Sequence, residues 1–230
     1  MRINDDLSIP ALVHAAALDW VPSPAAGVER RMLFRIGEEK ARATSIVRYA
    51  PGSAFARHGH PGGEEFLVLS GTFQDETGDF PAGSYVRNPK GTAHAPASAE
   101  GCVILVKLWQ FAEDDRERIV RLPGEGLIAD PRAGALSSRL LFDGAGETVR
   151  IEAWQPGADI LLPNHEGLEL LVLAGGFTWQ GEALTAWSWL RLPAHQPLQA
   201  KVGPGGAQVW FKQAPLLSPR VCAFDSDADA

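Results

Sequence analysis

The stretch HGHPGGEEFLVLSG (58–71) places several chemically reactive side chains close together in the sequence. His58 and His60 are separated by one residue, so on a β-strand both side chains point to the same face. A Pro-Gly-Gly turn (61–63) follows, and Glu64 then begins an apolar segment that can return beside the first strand. Two imidazoles and a carboxylate inside a protein are costly unless something binds them. We therefore expect this stretch to form one wall of a metal site.

A third histidine completes the predicted set. His94 lies in NPKGTAHAP (88–96), at another tight turn. Glu64 and Glu65 have opposite parity on a strand, so only one can point inward, and we predict that it is Glu64. Three imidazoles and one carboxylate suit one divalent ion, Zn²⁺ or Fe²⁺, with Mn²⁺ or Ni²⁺ as alternatives. Solvated surface histidines are the competing interpretation. The predicted metal ligands are His58, His60, Glu64 and His94.

Composition and charge disfavour several kinds of partner and indicate where the protein is located. The 230 residues carry a formal net charge of -7, and this acidic balance disfavours nucleic acid and anionic membranes as partners. The two cysteines, Cys102 and Cys222, are far apart and indicate neither a thiolate zinc site nor a disulfide framework. The start MRINDDLSIP lacks the features of a signal peptide, and no apolar run reaches the ~18 residues of a membrane span. We expect a cytoplasmic protein.

The sequence repeats itself with a period of a little over a hundred residues. The matched blocks keep their order, which indicates a duplication with domains at 1–120 and 121–230. The junction 111–126 is charged and is predicted to hold a short helix that ends at Pro123. The paired blocks are PAAGVERRMLF (24–34) with PRAGALSSRLLF (131–142), SIVRYAPG (45–52) with VRIEAWQPG (149–157), HPGGEEFLVLSGTF (60–73) with HEGLELLVLAGGF (165–177), and YVRNP (85–89) with WLRLP (189–193).

Each half consists of short apolar segments separated by glycine or proline. The segments are rich in Val, Ile, Leu, Phe and Trp, and turns such as Pro51-Gly52 and Gly62-Gly63 divide them. This pattern is typical of all-β sandwiches and barrels and differs from alternating βαβ units. The predicted fold is all-β, with two tandem barrels.

Two motifs resemble the signatures of the cupin superfamily. The first is Gly52-x5-His58-x-His60-x3-Glu64-x6-Gly71, and the second is Pro81-x-Gly83 followed by His94, with a longer spacing than in the commonest cupins. The form of residues 58–96 is most similar to ChrR-like cupins. That family includes the zinc-binding C-terminal domain of the anti-sigma factor ChrR and stands near small non-haem iron dioxygenases of the acetylacetone-cleaving type. The resemblance implies a bicupin of two double-stranded β-helix (jelly-roll) barrels, with His58, His60, Glu64 and His94 as ligands.

The resemblance also carries expectations about partners. Cupins commonly form homodimers, so a homodimer is expected. An anti-sigma factor of this family has a helical, zinc-binding segment before its cupin, and no matching segment precedes the cupin-like sequence here. A sigma factor is therefore not an expected partner, whereas a small-molecule ligand is.

The second half keeps only part of the ligand set. By sequence, Pro163 matches His58, while His165 and Glu169 match His60 and Glu64. Leu198 matches His94 without a gap, and His195 matches it with a three-residue deletion. Either a weak site forms from His165, Glu169 and His195, or apolar residues close the pocket. We favour closure because zinc and iron sites seldom tolerate a lost ligand. The residues expected to close it are Leu162, Trp187 and Trp189.

Three functions fit these observations. The first is a metal-dependent dioxygenase that acts on a small enolisable, β-dicarbonyl-like compound, with the metal as Lewis acid and template. The alternative is a zinc-binding sensor or regulatory module of the ChrR type, because four protein ligands would close the site. The third is a structural cupin that binds metal adventitiously. The ligand set itself suits both iron and zinc.

Overall fold

The computed structural model describes residues 1–216, and these residues are predominantly β-strand, with one 3-10 turn at Ala15–Ala17. In chain order the first strands are β1 (Arg2–Ile3), β2 (Ala11–His14), β3 (Val21–Pro22), β4 (Val28–Gly37), β5 (Ala41–Tyr49), β6 (Ser53–Ala54), β7 (His58–Gly59), β8 (Glu64–Asp75), β9 (Gly78–Pro81), β10 (Tyr85–Asn88) and β11 (Ala93–His94). The later strands are β12 (Ala97–Ser98), β13 (Cys102–Leu108), β14 (Ile119–Arg121), β15 (Leu127–Ala129), β16 (Ala135–Gly144), β17 (Glu147–Trp154), β18 (Asp159–Leu162), β19 (Gly167–Trp179), β20 (Glu182–Thr185), β21 (Ser188–Pro193) and β22 (Leu198–Gln213). The predicted all-β class is confirmed.

The described residues divide into two compact units. Unit 1 comprises Met1–Asp5 and Asp19–Glu125, and unit 2 comprises Asp6–Leu18 and the described chain from Gly126 onward. The junction lies close to the predicted one, but the residues before Asp19 do not follow the predicted division 1–120 and 121–230. Strand β2 pairs antiparallel with β21, which assigns it to the sheet of unit 2. This long-range pairing has no signature in the local sequence.

Both units have the same strand order. The central ladder of unit 1 runs β4-β5-β13-β8-β10, and that of unit 2 runs β16-β17-β22-β19-β21. Every pairing in both ladders is antiparallel. The duplication that the sequence blocks indicate is therefore present in the backbone topology.

The predicted helix within 111–126 is wrong. Ile119–Arg121 forms strand β14, which pairs with β10 and places Val120 opposite Val86. Asp115, in the same charged segment, is buried and paired with Arg87 at 2.8 Å. The tertiary contacts of this segment override its charged composition.

The long strand β8 has buried side chains on both of its faces, to which neighbouring residues point in alternation. Phe66 and Val68 join the apolar core of unit 1 together with Phe73. Glu65 and Leu67 point the other way and are also buried. Within the strand lies Gly71, whose φ is +70° and where a Cβ atom would lie 2.1 Å from the carbonyl oxygen of Gly101. Only glycine fits this position, which explains the last residue of the opening motif.

None of the described residues forms a helix that is long and apolar enough to cross a membrane.

Candidate metal centre

A two-stranded ladder brings the three predicted histidines together. Strand β7 pairs with β11 so that His58 lies directly opposite His94. His60 follows β7, and its backbone N–H donates to the Thr92 carbonyl at 2.9 Å while its own carbonyl accepts from Gly91 at 3.2 Å. The chain on both sides of the Pro-Gly-Gly turn is thereby held against the turn that carries His94.

The three imidazoles face a common point. One ring nitrogen from each of His58, His60 and His94 lies within 4.8 Å of the other two. The ring centroids are 5.3 Å apart for His58–His60, 5.3 Å for His58–His94 and 4.7 Å for His60–His94. Metal–imidazole bonds are about 2.0–2.1 Å long, so small side-chain rotations would let these nitrogens share one ion.

The hydrogen bonds of the cluster leave its inner nitrogens without partners. Among residues 1–216, no group hydrogen-bonds to the buried Nε2 atoms of His60 and His94. Nδ1 of His94 lies 3.2 Å from a carboxylate oxygen of Asp75, and Nδ1 of His58 lies 3.2 Å from the Ala56 carbonyl. When each Nδ1 donates to its oxygen, the opposite nitrogen presents a lone pair to the cluster. The arrangement fits a divalent cation.

Asp75 is a part of the site that the sequence analysis missed. It ends β8, and its side chain is 3% exposed. The other carboxylate oxygen accepts from the Thr77 backbone and hydroxyl at 2.7 and 2.6 Å, which fixes the side chain. The Asp-Glu-Thr-Gly turn (75–78) predicts this capping role, but nothing local indicates that the same carboxylate reaches His94.

The two glutamates point to opposite faces of β8, as their parity predicts. One carboxylate oxygen of Glu64 lies 3.5 Å from Nε2 of His94 and 3.8 Å from Nε2 of His60. Asn88 donates to the same oxygen at 3.4 Å. Glu65 instead accepts a hydrogen bond of 2.8 Å from the Tyr85 hydroxyl on the other face. Glu64 is the carboxylate within reach of an ion held by the histidines.

Burial sets the protonation of these groups. It lowers the pKa of His60 to about 3, and the neighbouring His94 and His58 add to the effect. Burial also lowers the pKa of His94, against the hydrogen bond to Asp75. It raises the pKa of Glu64 to about 7, against the hydrogen bond from Asn88. Near neutral pH, His60 and His94 are therefore in the neutral form that binds metals, and a cation would favour loss of the Glu64 proton.

A cavity of about 380 Å³ adjoins the cluster. His58, His60 and Glu64 form part of its lining. Besides Glu64, the charged residues of the lining are Arg30, Glu39 and Lys40, of which Arg30 and Glu39 form an ion pair at 3.3 Å. A small organic molecule could therefore reach an ion held by the histidines. The remaining wall is largely apolar and includes Val28, Val47, Tyr49, Phe55, Val106, Leu108 and Trp109.

The described residues of unit 2 form no such centre, and strand register identifies the equivalent positions. The bond from Gly91 N–H to the His60 carbonyl has a counterpart from His195 to the Asn164 carbonyl, at 3.1 Å. The pair His58–His94 corresponds to Leu162–Leu198. Asn88 lies opposite Glu64, and in unit 2 Leu192 lies opposite Leu168. The four predicted ligand positions are therefore occupied in unit 2 by Leu162, Asn164, Leu168 and Leu198.

The sequence alignment of the second half is thus wrong by one residue. Glu169 corresponds to Glu65, because each lies opposite one lysine and one arginine. The block 165–177 is one residue shorter than the block 60–73. Aligning the two blocks at His165 and His60 therefore assigns every following strand residue of unit 2 to the wrong face. His165 and His195 are exposed, and the only histidine, cysteine and carboxylate cluster with metal-like spacing among the described residues is the one in unit 1.

Of the three residues expected to close the pocket of unit 2, only Leu162 lies at a ligand position. Leu162 is fully buried in the apolar core of unit 2. Trp189 is also buried, but it lies on the other face, where its indole N–H donates to Glu169 at 2.8 Å. Trp187 is only partly buried. Closure comes instead from Leu162 together with Leu168 and Leu198, which occupy ligand positions.

Comparison with known proteins gives a family and a fold. Residues 9–112 match the family model described as ChrR Cupin-like domain. A candidate dioxygenase from Nostoc punctiforme is similar with 15% identity and a TM-score of 0.73 over 95% of this chain and 87% of that one. The pirin YhhW from Escherichia coli, solved with nickel(II), is similar with 15% identity and a TM-score of 0.64 over 90% and 100% of the two chains. No curated protein matches the sequence.

A variant of oxalate decarboxylase from Bacillus subtilis is also similar, with 14% identity and a TM-score of 0.58 over 89% of this chain and 77% of that one. At these identities the structural likeness establishes the fold alone. The two units are cupin barrels, so the predicted tandem arrangement is confirmed.

Proposed function

We propose that unit 1, most of which lies in the region 9–112 that matches the family model described as ChrR Cupin-like domain, is a metal-dependent oxygenase acting on a small enolisable compound. His58, His60 and His94 would hold one divalent ion, with Glu64 beside it. The observation that carries the proposal is the pair of buried, unpartnered Nε2 atoms of His60 and His94 at the border of an open cavity.

The cavity supports catalysis over a purely structural site. Catalytic metal sites keep a position open, whereas structural zinc sites are closed by protein ligands. His58 and His60 line a space of about 380 Å³, so an ion between them would be accessible to a small molecule. When bound, an ion such as Fe²⁺ would supply Lewis-acid activation of a carbonyl compound and electrons for dioxygen chemistry.

The residues of the chain have separable tasks in this proposal. Asp75 orients the His94 ring through Nδ1. The apolar wall of the cavity offers a surface on which the body of a small molecule can pack. Glu64, whose pKa burial raises to about 7, can hold a proton within 4 Å of two ligand nitrogens. A carboxyl group of this kind is suited to accept a proton from an enolisable carbon.

A zinc-binding regulatory module is the second candidate. It is favoured by the position of Glu64, 3.5 Å from Nε2 of His94 and 3.8 Å from Nε2 of His60. A small rotation would make its carboxylate a fourth ligand and close the site in the manner of structural zinc. Unit 1 would then respond to metal without catalysis of its own.

Elemental analysis of protein purified without added metal or chelator tests the proposal. The variant is His58→Ala/His60→Ala, and the matched control is His165→Ala/His195→Ala, which removes two exposed histidines from unit 2. We expect about one iron per chain in the wild type and the control, and none in the variant. Oxygen uptake with a panel of 1,3-diketones then tests catalysis.

About one tightly held zinc, with no oxygen uptake after iron is supplied, would favour the regulatory module instead. No metal in any of the three proteins would overturn both candidates. Metal lost in the control variant would overturn the assignment of the site to unit 1.

A further inference from the structure

Tyr49 is a polar residue of the cavity wall that the proposed metal chemistry does not use. It ends β5 and lines the same cavity as His58 and Glu64. Its ring packs edge-on against Phe55 and Phe73, with centroids 5.4 and 5.7 Å away. The ring is therefore held in place by aromatic neighbours. Within the described part of the chain, no group hydrogen-bonds to its hydroxyl.

The equivalent residue of unit 2 is Trp154, and its polar atom is satisfied internally. Tyr49 lies opposite Cys102 and Trp154 lies opposite Ala207, which are matching positions of β13 and β22. The Trp154 ring packs on Phe177 at 5.3 Å, as Tyr49 packs on Phe73. Its indole N–H, however, donates to a carboxylate oxygen of Glu152 at 2.9 Å.

Unit 1 lacks that internal acceptor. Val47 lies opposite Ile104, and Glu152 lies opposite Val209 at the same place in the ladder of unit 2. Valine thus replaces the glutamate that binds the polar atom of the aromatic residue. The Tyr49 side chain is partly buried, and the cavity that it lines is the space from which an acceptor can reach its hydroxyl.

The electrostatic environment keeps Tyr49 a hydrogen-bond donor. Burial raises the pKa of its phenol, and the negative charge of Glu64 raises it further. A neutral phenol donates one hydrogen bond, and the carbonyl oxygen of a bound molecule can accept it.

We propose that Tyr49 determines the substrate class of unit 1 by donating a hydrogen bond to an oxygen of a small carbonyl compound whose apolar body packs on the cavity wall. The wall residues Val28, Val106 and Leu108 provide the apolar surface. The inference rests on the proposed function for the role of the metal, but the preference for a carbonyl oxygen is measurable with or without bound metal.

The chain contains only two tyrosines, which makes the test specific. Protein labelled with ¹³C at the tyrosine ring carbon that bears oxygen gives two NMR signals, assigned with Tyr49→Phe and Tyr85→Phe. Tyr85 is the matched control, because its hydroxyl donates to Glu65 on the other face. The probes are acetophenone and α-methylstyrene, which share a shape but differ in whether they carry a carbonyl oxygen. One equivalent of zinc is added, and the metal content of each sample is measured.

We expect acetophenone to shift the Tyr49 signal and leave the Tyr85 signal in place. It should bind about three- to tenfold more tightly than α-methylstyrene, as expected for one neutral hydrogen bond. Tyr49→Phe should abolish that difference and Tyr85→Phe should preserve it. Retention of the aromatic ring in Tyr49→Phe keeps the contacts with Phe55 and Phe73.

Equal affinity for the two probes, or a preference that survives Tyr49→Phe, would overturn the inference even if zinc is bound. A Tyr49 shift and a carbonyl preference in samples without bound metal would support the inference while the proposed metal function fails.

Discussion

Units 1 and 2 share one ladder of strands but differ at the four positions where a metal could bind. Unit 1 has His58, His60, Glu64 and His94, and the register of unit 2 places Leu162, Asn164, Leu168 and Leu198 there. The three leucines are fully buried in the core of unit 2. The barrel therefore does not need the polar cluster in order to form, and in unit 1 that cluster is an addition to a fold that apolar packing can complete.

Another polar group is present in both units. In unit 1, Glu65 lies opposite Lys107 on one side and Arg87 on the other. In unit 2, Glu169 lies opposite Lys212 and Arg191 in the same way. We call each set the charge ladder of its unit. All six side chains are buried, and further carboxylates balance the cations, Asp115 on Arg87 at 2.8 Å and Glu147 on Lys212 at 2.7 Å.

The largest expected effect is in the charge ladders. Glu65→Leu and Glu169→Leu each remove a carboxylate that lies beside a buried lysine and a buried arginine. Removal of one partner from a buried ion pair costs about 3–5 kcal/mol. We expect both variants to lower the free energy of unfolding by that amount in urea titrations of metal-free protein. Lys201→Met, at an exposed ion pair with Asp159, is the control. A loss confined to Glu65→Leu would contradict a shared structural role.

The next effect concerns metal affinity. His94→Leu introduces the residue that unit 2 has at this position, and it removes one of three clustered nitrogens. Loss of an outer partner already lowers affinity about 10–100-fold, so we expect more than about 100-fold here. Competition with a chelating dye measures it. The control is His195→Leu, at an exposed position; an equal loss in that variant would contradict the assignment.

Conversion of the unit 1 pocket into that of unit 2 should stabilise the metal-free protein. The variant His58→Leu/His60→Asn/Glu64→Leu/His94→Leu removes two unpartnered buried nitrogens and a buried carboxylate. Since each unsatisfied buried group costs about 1–3 kcal/mol, we expect a gain of about 2 kcal/mol or more in chelator-treated samples. Added zinc should raise the melting temperature of the wild type and leave that of the variant unchanged. A variant less stable than the metal-free wild type would show that the two pockets are not interchangeable.

The smallest expected effect is a pH dependence. Burial raises the pKa of Glu64 from its ordinary value of 4.5 to about 7. The folded, metal-free protein therefore holds a proton that the unfolded chain releases, and this contribution to stability falls as pH rises from about 4.5 to 7. If a bound cation displaces that proton, metal affinity rises with pH through about 7. His60, with a pKa of about 3, is already neutral there.

We expect the metal affinity of the wild type to increase about tenfold more than that of Glu64→Gln between pH 6 and 8, as one additional released proton requires. Parallel pH profiles for the two proteins would show that Glu64 keeps its proton when metal binds. The chelating-dye competition, repeated at each pH with the same buffer ions, provides the measurement.

The residues themselves determined the all-β class, the duplication and the direction of the key side chains. Turn residues and alternation are local properties, so the sequence predicts that His58 and His60 share a face and that Glu64 and Glu65 do not. The opening motif also ends on Gly71, a position within β8 whose backbone geometry excludes other residues.

Only the tertiary structure decided which distant residues meet. It placed His94 opposite His58 and the Asp75 carboxylate beside His94. It also made Tyr49 part of the cavity lining and paired β2 with β21 of unit 2. It also corrected the alignment of Glu169, since a slip of one residue reverses the face of every side chain on a strand. Register between strands far apart in sequence depends on the packing of the whole barrel, which no short stretch of the chain encodes.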